Sequence, residues 1–331
     1  MTDLVATTPG LFPLPDWAKD DLGRLKGHQK HDLIAGDEGP EVTGVYDQAR
    51  EEVLETQRDA GLDRHVEGQL RWDDMLAHPL CIHDNVETRG LERYYDNNNF
   101  YRDPAVVGDL TFDGDMAADL EAAAGRTDTL QAVVPGPYSL LDLATDEHYG
   151  DDREFLAALA EFLAGEVGAF PDIAGTVILE PSLVTAPPAD RDLEEAAVDA
   201  IETVATAVEG STVVQSYWGA LTESTHAHLV DAAVDAIGYD LVTAPEDCRF
   251  LIDEYGTHAA VSLGLVDGQN TLVESPQTIR ERVDWLTDGV HGDFETVYLT
   301  ANTELFYLPV NRWTEKLDAL GRAATPEEVP A

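Results

Sequence analysis

Eight short apolar runs, most of them followed by a segment with helical spacing, constrain the fold of this chain more than any other feature. The runs are Leu4–Thr8, His65–Glu67, Leu130–Val134, Thr176–Leu179, Thr212–Gln215, Asp240–Thr243, Ala259–Ser262 and Thr296–Thr300. Helical spacing is clearest over Tyr46–Ala60, Glu154–Val167 and Leu193–Val208. A strand and then a helix, repeated about eight times, is typical of a (β/α)8 barrel. We therefore predict one barrel over residues 1–322 and a flexible tail over residues 323–331.

Function is expected just after each strand, because barrel enzymes build their sites at the carboxyl ends of the strands. The predicted strand ends are Gly10, Gly68, Pro135, Glu180, Ser216, Ala244, Leu263 and Ala301. The connection over residues 77–112 contains a cluster of aromatic and Asn residues. It is either a long functional loop or a hairpin whose aromatic side chains pack against a helix.

Two residues at these strand ends are candidates for catalysis. Glu180 precedes a proline, and burial could raise its pKa so that it serves as an acid. Its alternative role is to accept hydrogen bonds from the backbone. Tyr217, followed by Trp218, offers a flat aromatic surface for a ligand, although such a pair can also be core packing.

Six side chains are candidates for substrate binding. They are Gln69, Arg71, Arg102, Trp218, Asn302 and Glu304. Arg71 could hold a carboxylate through two hydrogen bonds, or it could pair with Asp73 or Asp74. Asn302 and Glu304 could equally form a solvated rim.

The strand ends resemble those of the cobalamin-independent methionine synthase family, over about residues 7–320. The matching motifs are Pro9–Pro13, Val66–Met75, Arg102–Val107, Pro135–Ser139, Ile178–Leu183 and Leu263–Pro276. The resemblance implies the barrel type shared with uroporphyrinogen decarboxylase, and a homologue similar to the family's N-terminal barrel. In that family the catalytic barrel transfers a methyl group to a zinc-bound homocysteine thiolate.

The resemblance also implies that the family's zinc ligands are missing. Their positions fall on Tyr217, Gly219, Pro245 and Thr303. The family's homocysteine contacts fall on Leu11, Gln69 and Leu179, and its folate-stacking aromatic falls on Leu143. We therefore expect no zinc and no tightly bound cofactor. Folate, another pterin and a corrinoid remain open as methyl donors.

Two functions from different classes follow from the resemblance. The first is a methyltransferase of methionine biosynthesis that works on a small-molecule substrate with a separate zinc-bearing homologue, or on a different methyl acceptor. The second is a non-catalytic partner barrel.

The net charge of −45, from 20 Lys and Arg against 65 Asp and Glu, predicts a halophilic protein. Such repulsion destabilises a compact chain unless molar salt screens it. A chain without a basic patch is not expected to bind nucleic acid. The two cysteines, the lack of a long apolar run and the N-terminus without a secretory pattern predict a cytoplasmic protein that does not enter membranes.

Overall fold

The computed structural model describes residues 2–24, 38–72, 76–95, 100–112 and 114–325. Eight parallel strands form one curled sheet, in the order β1-β11-β10-β9-β8-β7-β5-β2. The strands are β1 (Asp3–Ala6), β2 (His65–Val66), β5 (Leu130–Pro135), β7 (Gly175–Leu179), β8 (Ser211–Gln215), β9 (Ala236–Asp240), β10 (Ala260–Val266) and β11 (Thr296–Ala301). The predicted barrel fold is confirmed.

The predicted position of the sixth barrel strand is wrong. All five residues of β9 are buried, and the strand ends at Asp240. The next residues turn away because the Asp240 carboxylate accepts hydrogen bonds from the backbone N–H groups of the second and third residues after it. The apolar run that begins at Asp240 is therefore a turn, and Ala244 is not a strand end. The seventh barrel strand also runs further than predicted, to Val266 rather than Leu263.

Helices follow the strands and cover the outside of the sheet. They are α1 (Asp16–Leu22), α2 (Pro40–Asp59), α3 (His78–Cys81), α4 (Asp115–Ala123), α5 (Pro137–Leu143), α6 (Asp152–Val167), α7 (Ser182–Thr185), α8 (Arg191–Ala207), α9 (Glu223–Asp231), α10 (Pro245–Tyr255), α11 (Pro276–Thr287) and α12 (Val310–Ala324). The three predicted helices match α2, α6 and α8. Asp151 and Asp190 start the latter two, because each side chain accepts hydrogen bonds from N–H groups of the first turn.

The connection over residues 77–112 contains a hairpin. Its strands are β3 (Val86–Arg93) and β4 (Phe100–Val106), and β4 also pairs with β6 (Thr145–Asp146). The aromatic residues hold this small sheet against the barrel. Tyr94 is buried, and its hydroxyl accepts hydrogen bonds from the N–H groups of Leu76 and Ala77, just before α3. The connection therefore contains the hairpin of the second alternative.

Hydrogen bonds close the sheet between β1 and β2. The N–H groups of Asp63 and Arg64 donate to Ala6 O, and Phe12 N donates to Gly68 O at 2.9 Å. Arg64 fills the amino end of the barrel interior, where its guanidinium reaches Ser211 Oγ at 2.8 Å. The same guanidinium also contacts Gln131 on β5 and Tyr298 on β11, which ties three distant strands together.

The last helix extends to Ala324, so the predicted tail begins with two helical residues. The rest of that tail from residue 326 lies outside the described residues. Across the described part of the chain, none of the helices is both long and apolar enough to cross a membrane.

Candidate functional site

The carboxyl ends of the barrel strands carry a concentration of buried polar side chains. Its members are Glu67, Gln69, Glu180, Gln215, Ser216, Asp240, Asn302, Thr303 and Glu304. A cleft of about 930 Å³ lies at the other end of the barrel, next to Asp3, Asp63 and Arg280. We place the candidate site at the carboxyl end, because the buried ionisable groups of the barrel strands converge there.

Tyr217 and Glu304 form the centre of the site. Both side chains are buried, and they come from the loops after β8 and β11. Burial raises the pKa of Glu304 to about 7, although the hydrogen bond from Gln269 and the proximity of the Tyr217 hydroxyl favour the anion. Burial and the nearby Glu304 charge hold the pKa of Tyr217 well above its usual range. Gln269 donates to one Glu304 oxygen at 2.9 Å.

Asp240 joins three strand-end loops and is the site residue that sequence reasoning missed. Both of its oxygens accept from the Asn302 side-chain amide, at 3.1 and 3.2 Å, and one also accepts from Trp218 N at 2.8 Å. Asn302 in turn accepts from Gly268 N at 3.0 Å. The available signal was the alternation Ala-Ile-Gly-Tyr-Asp, in which an acid follows a buried aromatic. The more apolar run after it concealed this pattern.

Trp218 and Tyr95 form an aromatic contact over the centre of the site. Their ring centroids are 5.0 Å apart, and the Tyr217 ring lies 4.9 Å from Trp218. The Tyr95 hydroxyl is hydrogen bonded to Ser182 Oγ at 3.0 Å, which links the hairpin to the loop after β7. Both Tyr95 (φ 40°) and Trp218 (φ 67°) have left-handed backbone, a strained conformation that persists only where the surroundings enforce it.

Glu180 caps α5 from the end of β7. Its two oxygens accept from Tyr138 N at 3.0 Å and from the N–H and hydroxyl of Ser139, both at 2.7 Å. The close approach requires Gly136, since a Cβ there would lie 2.0 Å from the Glu180 carboxyl carbon. Burial still raises the pKa of Glu180 to about 7. The Glu180 carboxylate therefore makes the backbone hydrogen bonds that its alternative role predicts, and its catalytic role stays a prediction.

Gln69 holds the loops after β1 and β2 together. Its side-chain oxygen accepts from Leu11 N at 2.7 Å, and its own N–H donates to Glu67 Oε1 at 2.6 Å. Gln69 and Leu11 both have positive φ, of 49° and 54°. These contacts use the Gln69 side chain for loop geometry.

A buried cluster of charges lies beside Gln69. Arg50 donates to Asp119 at 3.0 Å and lies 3.7 Å from Glu67, while Arg71 contacts Glu38 and lies 3.2 Å from Asp119. Burial raises the pKa of both Glu67 and Asp119, because desolvation penalises the charged form. The cluster contains more carboxyl groups than arginines, so the two arginines cannot compensate every carboxylate. The number of protons that these carboxyl groups bind therefore depends on pH.

The two candidate arginines lie apart from the centre of the site. Arg71 belongs to the charge cluster, and its alternative partners Asp73 and Asp74 lie outside the described residues. Arg102 is on β4 of the small sheet, where its carbonyl accepts from Cys81 Sγ at 3.6 Å. Of the predicted residues, the structure brings together Tyr217, Trp218, Asn302 and Glu304.

Residues 82–289 of this chain match the family model for the N-terminal domain of cobalamin-independent synthase. This match covers more than half of the chain. The chain belongs to this family.

Known proteins of this family agree in length and fold. Methionine synthase of Sulfolobus acidocaldarius is 24% identical over 96% of this chain and 90% of its own length. Methionine synthase of Sulfurisphaera tokodaii is 21% identical over 86% of this chain and 81% of its own length.

Two solved structures have the same fold. A B12-independent methionine synthase from a Shewanella species, in complex with selenomethionine, has a TM-score of 0.78 at 18% identity, and covers 97% of this chain and 96% of its own. A putative vitamin-B12-independent methionine synthase from Listeria monocytogenes has a TM-score of 0.68 at 17% identity, with 98% coverage of both chains.

The residues at the family's zinc positions do not fit zinc. Structural and catalytic zinc sites use Cys, His and carboxylate ligands, whereas a buried tyrosine ring, a glycine and a threonine stand at three of the four positions. At the fourth, β9 ends on Asp240 rather than beside Pro245, and both Asp240 oxygens already accept hydrogen bonds. Among the described residues, no group of three or more His, Cys, Asp and Glu side chains could hold a metal ion. Both cysteines, Cys81 and Cys248, are buried, and the Cys248 thiol donates to the backbone carbonyl of Asp240 at 3.6 Å.

Proposed function

We propose that this protein takes part in methyl transfer during methionine biosynthesis, together with a separate zinc-bearing homologue that supplies the activated thiolate. The observation that carries the proposal is the position of Tyr217. Its side chain is fully buried where the family places its first zinc ligand, below the contact between Trp218 and Tyr95. Support for the pathway comes from the family and from relatives of similar length that are named methionine synthases.

The chemistry of thiols explains why a second, zinc-bearing protein is needed. Only the thiolate attacks a methyl group readily, and zinc lowers the pKa of a thiol enough to form it at neutral pH. Tyr217 cannot replace the metal, because its own pKa lies well above that of a thiol. The barrel would therefore contribute substrate binding, and the partner would contribute the reacting sulfur.

The hairpin favours a second candidate, a partner barrel without catalysis of its own. Leu91 is 72% exposed and Phe100 is 53% exposed, and they lie on the two paired strands of the hairpin. Exposed apolar side chains that lie together mark interaction sites more often than chance surface positions do. Under this reading the hairpin, rather than the barrel mouth, carries the function.

A deletion strain tests the proposed function and separates the two candidates. We expect methionine auxotrophy, and recovery of a zinc-bearing homologue with the affinity-tagged protein. Complementation with Trp218→Ala should fail if the barrel mouth binds substrate, while the homologue is still recovered. Complementation with Leu91→Asp/Phe100→Asp should fail together with recovery if the hairpin is the docking surface.

Three outcomes would contradict the proposal. Growth of the deletion strain without methionine, with no homologue recovered, would indicate a different substrate. Rapid turnover of homocysteine by the purified protein alone would show that it activates the thiol unaided. One equivalent of zinc after dialysis, measured by elemental analysis, would show that the residues described above bind the metal after all.

A further inference from the structure

Two buried oxygen atoms at the centre of the candidate site have no hydrogen-bond partner in the described residues. They are the Tyr217 hydroxyl and Glu304 Oε2, and both residues are almost fully buried. Buried polar atoms are nearly always paired, and each exception calls for an explanation. Here the two atoms come from different loops and lie close enough for each to influence the other's ionisation. They mark one common location rather than two separate packing defects.

This location has a carboxylate without a counter-charge. No ion pair of Glu304 with Lys, Arg or His occurs within the described ranges, and its one side-chain donor at normal geometry is the neutral Gln269. Other buried carboxylates of the barrel are compensated either by several neutral donors, as Glu180 and Asp240 are, or by a cation, as Glu274 is by the buried Lys316 at 2.8 Å. Burying a carboxylate is costly unless a cation or several donors compensate.

The surroundings of this carboxylate are aromatic. The rings of Tyr217, Trp218, Tyr95 and Tyr94 follow one another at centroid distances of 4.9, 5.0 and 5.5 Å. Aromatic faces attract cations, and an aromatic lining combined with an acid is suited to alkylated ammonium groups, which are large and weakly hydrated. A small anion would be repelled by the carboxylate, and a neutral flat molecule would gain hydrogen bonds from it but no charge compensation.

We infer that Glu304 and Tyr217, with the rings of Trp218 and Tyr95, form a binding site for an alkylammonium group. The group would lie against the Glu304 carboxylate and beside the rings of Trp218 and Tyr95, and the hydrogen bond of the Tyr95 hydroxyl to Ser182 holds that ring in place. Trp218 is half-buried and offers the entry side. This inference concerns binding alone and does not depend on the methionine pathway.

Binding measurements on the full chain at constant KCl concentration test the inference. Two kinds of ammonium are compared, each with an analogue that lacks the positive charge: trimethylglycine with tert-butylacetate, and methionine with its deaminated form. We expect saturable binding of at least one cation, measured by calorimetry and by Trp emission. The analogue without the ammonium group should bind about tenfold more weakly or not at all. The preferred pair identifies the ammonium as methylated or as that of an amino acid.

Variants assign the binding to the proposed residues. Glu304→Gln should weaken cation binding about tenfold or more, since the charge is lost while the shape is kept. Glu166→Gln removes a buried acid on α6, remote from the barrel strands, and should bind as the wild type does. Three outcomes would overturn the inference. They are equal binding of each probe with and without its ammonium group, unchanged binding by Glu304→Gln, and no saturable binding of any of these probes. The comparison of analogues needs only the wild-type protein, so it stands even if a variant does not fold.

Discussion

The free energy of unfolding of the wild type should fall as pH rises because of Glu304, and Glu304→Gln should not show this contribution. Glu304 is 1% exposed, and burial raises its pKa from the usual 4.5 to about 7. Between these two pH values the folded protein keeps the proton while the unfolded chain has released it. Stability therefore falls as pH rises through this window and remains lower above pH 7. A pKa difference of this size, from 4.5 to about 7, corresponds to about 3 kcal/mol.

The glutamine side chain has the shape of the protonated acid and carries no charge at any pH. Its carbonyl can still accept the hydrogen bond from Gln269. The free energies of unfolding of variant and wild type should therefore be similar near about pH 4.5, and the variant should be more stable by up to about 3 kcal/mol near about pH 8. Denaturant unfolding across this range, in constant molar KCl, measures the difference.

Glu180→Gln is the matched control. Glu180 is equally buried and its pKa is likewise raised to about 7, but its oxygens accept three hydrogen bonds. A glutamine amide nitrogen cannot accept them, so this variant should be roughly 1–3 kcal/mol less stable than the wild type near about pH 4.5, where Glu304→Gln should match the wild type. Parallel pH curves for wild type and Glu304→Gln, or a Glu304→Gln variant less stable at alkaline pH, would refute the argument that desolvation dominates at Glu304.

Three further predictions concern the whole barrel. The melting temperature should rise with KCl into the molar range, because screening relieves the repulsion of a net charge of −45; equal midpoints in low and high salt would contradict this. Gly136→Ala should lower the free energy of unfolding by at least about 2 kcal/mol in chemical denaturation, because its methyl group would lie 2.0 Å from the Glu180 carboxyl carbon. Gly44→Ala on α2 is the control: its methyl group meets nothing within 4 Å, so this variant should be neutral or stabilising. Arg64→Met should lower stability by roughly 2 kcal/mol or more, since it leaves the partners on β5, β8 and β11 without a donor; an unchanged midpoint would show that the amino end of the barrel does not need this residue.

The alternation of strand and helix could be predicted from the sequence because it depends on the local periodicity of apolar residues. Seven of the eight barrel strands lie where the apolar runs predicted them, and the helices begin at the capping residues Asp151 and Asp190. The exception, β9, has the least apolar pattern of the eight, since Gly238 interrupts it and a more apolar turn follows. There the local signal favoured the wrong segment, and the side-chain bonds of Asp240 decided the outcome.

The sequence determined the barrel, the family and which residue types stand at the strand ends, because each of these is encoded in short segments of the chain. Only the tertiary structure decided what those residues contact. Glu180 bonds to a helix terminus 41 residues earlier in the chain, and Tyr95 of the hairpin reaches Ser182 across 87 residues. Glu304 was a candidate on spacing alone, but its lack of a cationic partner is a property of the assembled loops. Contacts between segments so far apart in sequence follow from how the sheet closes, and no local pattern of residues carries that information.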